Sequence, residues 1–262
     1  MRKGRTRRPV LQSRASDAIR IAMSGQESSE VLVNTRLLKR EARWNRPIGS
    51  FRERVRAWAD LLVVDHGVLR LFHLNRHRVG EGVWRSAQPS PRDLARLKAR
   101  GLRTIVNLRG GRAHGAWQLE KDAAERLGLT VVDLVLRSRE APDRETLLAL
   151  PGFFASLEYP VLAHCKSGAD RAGLFAALYL LVVEGADSKR AMQELTLRKL
   201  HFRYAQAGIL DAFLEAFRDE GETKGKSFLQ WVQEDYDPAR LAREFRPRPV
   251  SSLIADRLLR RE

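Results

Sequence analysis

The sequence predicts an α/β fold: a mostly parallel central sheet flanked by helices, with a helical C-terminal extension. Two observations carry that expectation. Between residues 83 and 181, short strand-like runs alternate with longer helix-patterned runs in the order β-α-β-α-β-loop-α, and alternation of this kind builds parallel sheets with helices on both faces. The last strand-like run, Pro160-Val161-Leu162-Ala163, feeds a short polar loop and then the apolar helix pattern Leu174-Phe175-Ala176-Ala177-Leu178-Tyr179-Leu180-Leu181. Right-handed crossovers between parallel strands gather the loops that follow them at one sheet edge.

The elements follow in chain order. Phe51, Val55, Trp58, Leu61 and Leu62 recur at helical spacing and predict one apolar helix face. Val83-Trp84-Arg85-Ser86 reads as a short strand after the turn Gly80-Glu81-Gly82. Ser90 followed by Pro91 opens a helix that Gly101 ends, the usual asymmetry of cap, first-turn proline and terminal glycine. Next come a strand over 104–108, a helix over 116–127 closed by Gly128, a strand over 130–136, a helix over 144–157 interrupted at Pro151, and a strand over 161–164. Beyond Gly185 the patterns are helical, over 188–200, 205–218, 227–234, 238–245 and 252–260. The domain reading is a basic, flexible arm over 1–48, an α/β domain over 49–220, and a helical extension over 221–262 packed on it.

Composition narrows the function classes. Of 262 residues, 44% are hydrophobic and 31% charged, the balance of a globular protein. No apolar run reaches the ~18 residues of a membrane span. The basic N-terminus is followed only by the weak apolar patch 19–23, too short for the core of a signal peptide. A single cysteine allows no intrachain disulfide and fits a reducing, cytoplasmic setting. Met1 and Met23 both fit as the start. The net charge is +16, and residues 1–50 carry 12 Lys/Arg against 4 Asp/Glu. No specific nucleic-acid partner is expected, because the remaining charges are interspersed and no recognition motif is present. The basic arm leaves open a weak contact with anionic membrane. His66, His73, His77, His114, His164 and His201 show no metal-ligand spacing, so neither metal nor cofactor is expected.

The chemistry concentrates in His164-Cys165-Lys166-Ser167-Gly168-Ala169-Asp170-Arg171-Ala172-Gly173. A thiol at a helix N-terminus beside positive groups falls from ~8.5 to as low as ~3.5–7.5. Ser167 and Gly168 allow the backbone to curl so that successive N–H groups form an anion nest. Arg171 offers two parallel donors to phosphate oxygens. A Cys-x5-Arg loop between strand and helix therefore predicts a thiolate under a bound phosphorus, in-line attack, and a cysteinyl-phosphate that water then hydrolyses.

With Trp84-Arg85-Ser86-Ala87-Gln88-Pro89 upstream and Arg103-Thr104-Ile105-Val106-Asn107-Leu108-Arg109 following, the chain resembles the cysteine-dependent protein tyrosine/dual-specificity phosphatases of the compact bacterial and fungal type. The resemblance covers roughly residues 80–215 by these motif anchors. It implies Cys165 as nucleophile and Arg171 as phosphate clamp. It also implies a cradle from the backbone amides of Lys166, Ser167, Gly168, Ala169, Asp170 and Arg171. Two positions depart from the family. Ala172 stands where many members carry the hydroxyl that helps the thiolate leave, which predicts a slow second step. Asp170 puts a carboxylate in the cradle.

The family takes its general acid from the loop after the strand upstream of the cysteine, here 137–143. Asp133 falls too early. Asp143 has a structural reason to exist as a helix N-cap. Glu140 has none, and is the expected acid, with Asp143 and Asp170 as alternatives. His164 is expected to brace the loop, and the two arginines of 109–115 to suit a second anionic group. Expected substrates are a phosphorylated protein or a small phosphomonoester. Alternatives are a weakly active phosphate-binding protein and a phosphoinositide or inositol-phosphate phosphatase. A single cysteine serves thiol-relay arsenate reduction poorly.

Overall fold

The computed structural model describes residues 35–65, 67–68 and 74–247. The first 34 residues of the expected arm, His66, His73 and the helix expected over 252–260 lie outside the described residues.

Helix α1 (Thr35–Trp44) precedes α2 (Phe51–Ala59), which Ser50 caps and which continues into a π-helical turn, Asp60–Val64. Trp44, Ala57 and Leu61 pack on Ala116 and Leu119. The expectation of a flexible arm reaching residue 48 is therefore corrected from residue 35 onward. The reason is that charged residues here bond inward: Arg40 Nε donates to Ala113 O at 3.0 Å and its Nη2 to Asp60 Oδ1 at 3.1 Å. The apolar face of α2 also differs, since Phe51 and Val55 are exposed while Ala57 and Leu61 are buried.

The sheet has the order β1-β2-β5-β3-β4, with β1 (His77–Gly80), β2 (Val83–Ala87), β3 (Thr104–Asn107), β4 (Thr130–Asp133) and β5 (Val161–Cys165). Only the β1–β2 pair is antiparallel. The central strand β5 is buried along its whole length, which is why it reads as a continuous apolar run rather than an alternating one. Its register sets Ala87 beside Cys165, and Ser86 and Asn107 beside His164. The loops after β2, β3 and β5 therefore leave the same edge. Connecting helices are α3 (Pro91–Ala99), α4 (Gly115–Leu127) and α5 (Arg144–Ala155). Ser90 and Asp93 close a reciprocal capping box on α3. Helix α5 runs through Pro151, which lies on its exposed face, where the sequence predicted an interruption.

Helix α6 (Asp170–Val182) leaves the β5 loop and is buried for most of its length. It is followed by α7 (Ser188–Met192), α8 (Ile209–Ala216), α9 (Phe228–Glu234) and α10 (Pro238–Glu244). The helix expected over 188–200 stops at Met192. Thr196 is extended and Leu200 left-handed around a short 3-10 turn, Leu197–Lys199, and this break turns His201 inward. Phe213, Phe217, Phe228, Trp231 and Tyr236 stack at tilted and edge geometries, within the same core cluster as α6 and β5. Tyr236 Oη donates to Pro142 O at 2.7 Å, so the described part of the 221–262 segment shares the core and steadies the loop before α5.

Candidate active site

Cys165 ends β5 and is 2% exposed; α6 begins five residues later, with Arg171 in its first turn. The first intrahelical bond runs from Gly173 N–H to Ala169 O at 3.0 Å. The N–H groups ahead of it therefore leave the helix end toward the loop, together with the positive end of its dipole. Gly168 has φ +72°, and a Cβ there would lie 2.4 Å from Ala87 N and 2.6 Å from Ser86 C. The loop thus lies directly on the end of β2, and only glycine permits that approach.

Arg85 braces the loop from below. Its side chain is fully buried, and its Nη2 donates to Gly168 O at 2.6 Å and Ala169 O at 2.9 Å. Its Nη1 donates to Glu194 O and pairs with Glu194 Oε2 at 3.3 Å. With two loop carbonyls drawn down onto a guanidinium, the amides of the same peptides turn to the opposite face of the loop. Burial holds Arg85 below the ordinary arginine range, while the fields of Glu194, Cys165 and Asp170 oppose that shift. Burial likewise pushes the Glu194 carboxyl up, but hydrogen bonds from Lys199 and Arg190 outweigh it and hold the group below its usual range. Gly173 leaves room for this junction, since a Cβ would come within 3.0 Å of Arg85 Nη1 and 2.8 Å of Glu194 O.

A second buried network crosses the sheet edge. Asp65 takes both Arg109 terminal nitrogens at 2.9 Å. Arg109 Nη1 also donates to Gln88 Oε1 at 2.5 Å, Gln88 Nε2 to Glu120 Oε2 at 2.9 Å, and His164 Nε2 meets Glu120 Oε1 at 3.0 Å. His164 thus ties β5, the strand that ends in Cys165, to α4. Lys166 Nζ lies 3.7 Å from Asp65 Oδ1, so the cation next to Cys165 faces an internal carboxylate. The two arginines expected to receive a second anion are both paired with carboxylates of this chain. Arg109 is buried on Asp65, and Arg112 pairs with Asp133 at 3.0 Å over the ring of Trp117.

Asp170, at the other end of the loop, is also internal. Its Oδ1 lies 2.7 Å from His201 Nδ1, and His201 Nε2 lies 2.6 Å from Asp211 Oδ2. Burial pushes the imidazole down, yet hydrogen bonds to Asp170 and Asp211 outweigh it and raise His201 above its ordinary range.

A family model described as "DSP-PTPase phosphatase fused to NAD+ Kinase" matches residues 74–209, just over half of the chain. The chain belongs to this dual-specificity phosphatase family. A curated relative, the dual specificity protein phosphatase TpbA of Pseudomonas aeruginosa strain UCBPP-PA14, is 33% identical over 126 residues, 47% of this chain and 53% of the relative. The chain therefore spans about half the length of the curated relatives it matches. Among solved structures, P. aeruginosa TpbA is similar at 26% identity and a TM-score of 0.44, covering 55% of this chain and 84% of that one. A putative phosphatase from Shewanella putrefaciens CN-32 is similar at 20% identity and a TM-score of 0.46, covering 58% and 95%.

Within this phosphatase-family chain, Cys165, Arg171 and the residues between them form one strand-to-helix loop. Glu140 stands apart from it, in the loop before α5, exposed and paired with Arg137 at 3.1 Å. Asp143 caps α5, accepting from Thr146 N at 2.9 Å and Thr146 Oγ1 at 3.1 Å. Asp133 is held by Asn107 Nδ2 at 2.9 Å as well as by Arg112. Glu140 and Asp143 line a groove of about 1070 Å³ together with Arg137, Arg139, Leu174 and Phe245. Leu174 lies one helical turn past Arg171, so the groove runs beside the start of α6.

Sequence reasoning missed Arg85, Gln88, Glu120, Asp65, His201 and Asp211. One signal was available: an arginine at an interior position of a short strand next to the strand that ends in Cys165, where a charge is not buried without partners. Ala172 is fully buried among apolar side chains. Among the described residues no cluster of three or more His, Cys, Asp or Glu is placed to hold a metal, and no helix is long and apolar enough to cross a membrane.

Proposed function

We propose that this chain is a phosphomonoester hydrolase acting through a cysteinyl-phosphate, a protein tyrosine/dual-specificity phosphatase in substrate class. Cys165 Sγ attacks phosphorus while the bond to the leaving oxygen breaks. Glu140 supplies the proton that the leaving oxygen needs, a role worth ~10²–10⁴ in rate. Arg171 and the amides of residues 166–171 hold the equatorial oxygens. Water then cleaves the S–P bond, releasing inorganic phosphate and the thiolate. No metal takes part in this scheme, and the setting is cytoplasmic.

The observation that carries the reading is the brace beneath the loop: Arg85 holds the carbonyls of Gly168 and Ala169, leaving the amides to face an anion above Cys165. Glu140 is favoured as acid because the other nearby carboxylates are committed. Asp143 is bound to Thr146, Asp133 to Asn107 and Arg112, and Asp170 to His201. A surface pair such as Glu140 with Arg137 is worth little and leaves the carboxylate movable. The groove beside α6 combines Arg137 and Arg139 with Leu136, Pro142 and Phe245, a lining that suits a phosphorylated residue within a peptide better than a uniformly anionic inositol phosphate.

Turnover of p-nitrophenyl phosphate, phosphopeptides and inositol phosphates by the purified full chain tests the reading. Cys165→Ser is expected to reduce turnover by roughly 10⁴-fold or more, the scale on which loss of an attacking group is felt, while inorganic phosphate still binds. Wild-type protein inert toward all three substrate classes, or Cys165→Ser protein that still turns over, overturns it. A second reading rests on Ala172: with no hydroxyl beside the thiolate, the chain traps phosphate as a phosphocysteine and serves mainly to bind phosphorylated ligands.

A further inference from the structure

The cradle carries an acidic residue where an anion must bind. Asp170 is 5% exposed and forms the first residue of α6. Left as a bare carboxylate it opposes both a phosphate dianion and the Cys165 thiolate, because neither water nor salt screens charges that are buried together. His201 meets this difficulty by geometry. It is nearly fully buried, and both of its ring nitrogens lie within hydrogen-bond distance of carboxylate oxygens, Asp170 at 2.7 Å and Asp211 at 2.6 Å. A neutral imidazole has one donor only. Only the imidazolium donates to both carboxylates, one on each nitrogen. Asp170 from α6 and Asp211 from α8 are the acidic groups that face the ring.

We propose that His201 is a positioning residue that sets the charge of the phosphate cradle. Its imidazolium neutralises Asp170 and keeps that carboxylate turned toward α8, and Asp211 in turn holds the imidazole charged. The inference deepens the hydrolase reading and rests on it for the identity of the bound anion. It assigns work to the 3-10 break after α7: a helix continued through residue 200 would not deliver His201 to the back of the loop. It also explains how a loop with an internal acid keeps a net attraction for phosphate. The cation stands behind the acid rather than in the substrate's path.

The test uses two readouts that need no turnover. One is the dissociation constant of inorganic phosphate, measured by calorimetry. The other is the titration midpoint of Cys165, followed by ultraviolet thiolate absorbance as a difference against Cys165→Ser; the chain's single cysteine makes that signal unambiguous. His201→Gln should weaken phosphate binding roughly 3- to 10-fold and move the thiol midpoint upward by about half to one unit, the scale of one lost charge partner. Adding Asp170→Asn to His201→Gln should return both quantities to within about twofold of wild type, a rescue that a packing role for the imidazole does not produce. Unchanged binding and midpoint in His201→Gln, or a double variant no better than the single, overturns the proposal.

Should His201→Gln not fold, Asp170→Asn alone decides the matter. It removes the acid while leaving the cation, so it must bind phosphate more tightly than wild type, and equal or weaker binding overturns the proposal. Failure of the hydrolase reading shows separately, as a wild type that binds phosphate and ionises Cys165 yet releases no p-nitrophenol.

Discussion

The underside of the 165–171 loop and the 137–143 loop beside it are built on opposite principles. Beneath Cys165, five side chains converge: Arg85 from β2, Gln88 just past it, Arg109 after β3, Glu120 from α4 and His164 from β5. Nearly all are buried, and each is bonded to the next or to loop carbonyls. The 137–143 loop is fastened at its end, where Asp143 caps α5 and Pro142 O receives Tyr236. Its middle presents Glu140 and Arg137 to solvent. An anion site is most effective when its dipoles are fixed before the ligand arrives, whereas a proton donor only has to reach the leaving oxygen during reaction. The difference is one of burial: the groups beneath the 165–171 loop are internal and bonded to one another, whereas the carboxylate proposed as the acid stands on the surface.

The sharpest way to break that contrast is to neutralise the carboxylates of the exposed loop one at a time. Glu140→Gln should lower kcat by about 10²–10⁴ on an alkyl or phenyl phosphate, whose leaving oxygen needs a proton. The loss should be far smaller on p-nitrophenyl phosphate, whose phenolate departs unaided. Asp143→Asn should leave kcat within about threefold, because Asn caps a helix as well as Asp. The reverse ranking of the two variants in leaving-group dependence would move the acid to Asp143.

On the rigid side, the comparison predicts a stability effect rather than a purely kinetic one. Arg85→Met strands Gly168 O and Ala169 O without their donor and removes one of the cations around Glu194. Removing one member of a buried charge pair costs about 3–5 kcal/mol, readable as a lowered denaturant midpoint in the full chain. Phosphate affinity should fall with it, since the amides are no longer held outward. A variant with unaltered stability and unaltered phosphate binding would show that the loop holds its shape without the brace.

The same division decides what was legible in the sequence. Cys165 and Arg171 could be read because their spacing and the strand-helix setting are local. So could the caps at Asp143 and Ser90 and the order of strands along the chain. The partners that brace the loop were not legible, because they arrive by tertiary approach. Arg85 and Glu194 are 109 residues apart, Arg109 and Asp65 are 44 apart, and His201 and Asp170 are 31 apart. No periodicity reports such meetings. The arm boundary failed for a related reason: a run of charges reads as solvated until Arg40 is seen bonding to Ala113 O and Asp60. The two arginines of 109–115 were expected to suit a second anion because their loop lies at the sheet edge; Arg109 pairs instead with the buried Asp65 and Arg112 with the half-exposed Asp133.

The smallest expected effect concerns Ala172, where the rigid side meets the second chemical step. Its methyl is fully buried within the apolar core cluster that also holds Cys165 and Leu174, so no side-chain hydroxyl at this position stabilises the departing thiolate. Rapid mixing with p-nitrophenyl phosphate should show a burst of p-nitrophenol approaching one equivalent, followed by slower steady turnover. Ala172→Ser adds the hydroxyl at a small cost in volume, and should raise the steady rate by about 3- to 10-fold while leaving the burst rate alone, a difference of at most ~1.4 kcal/mol in the second barrier. If the steady rate does not rise, or no burst precedes it, hydrolysis of the phosphocysteine does not limit turnover, and the reading of this chain as a phosphate trap loses the residue on which it rests.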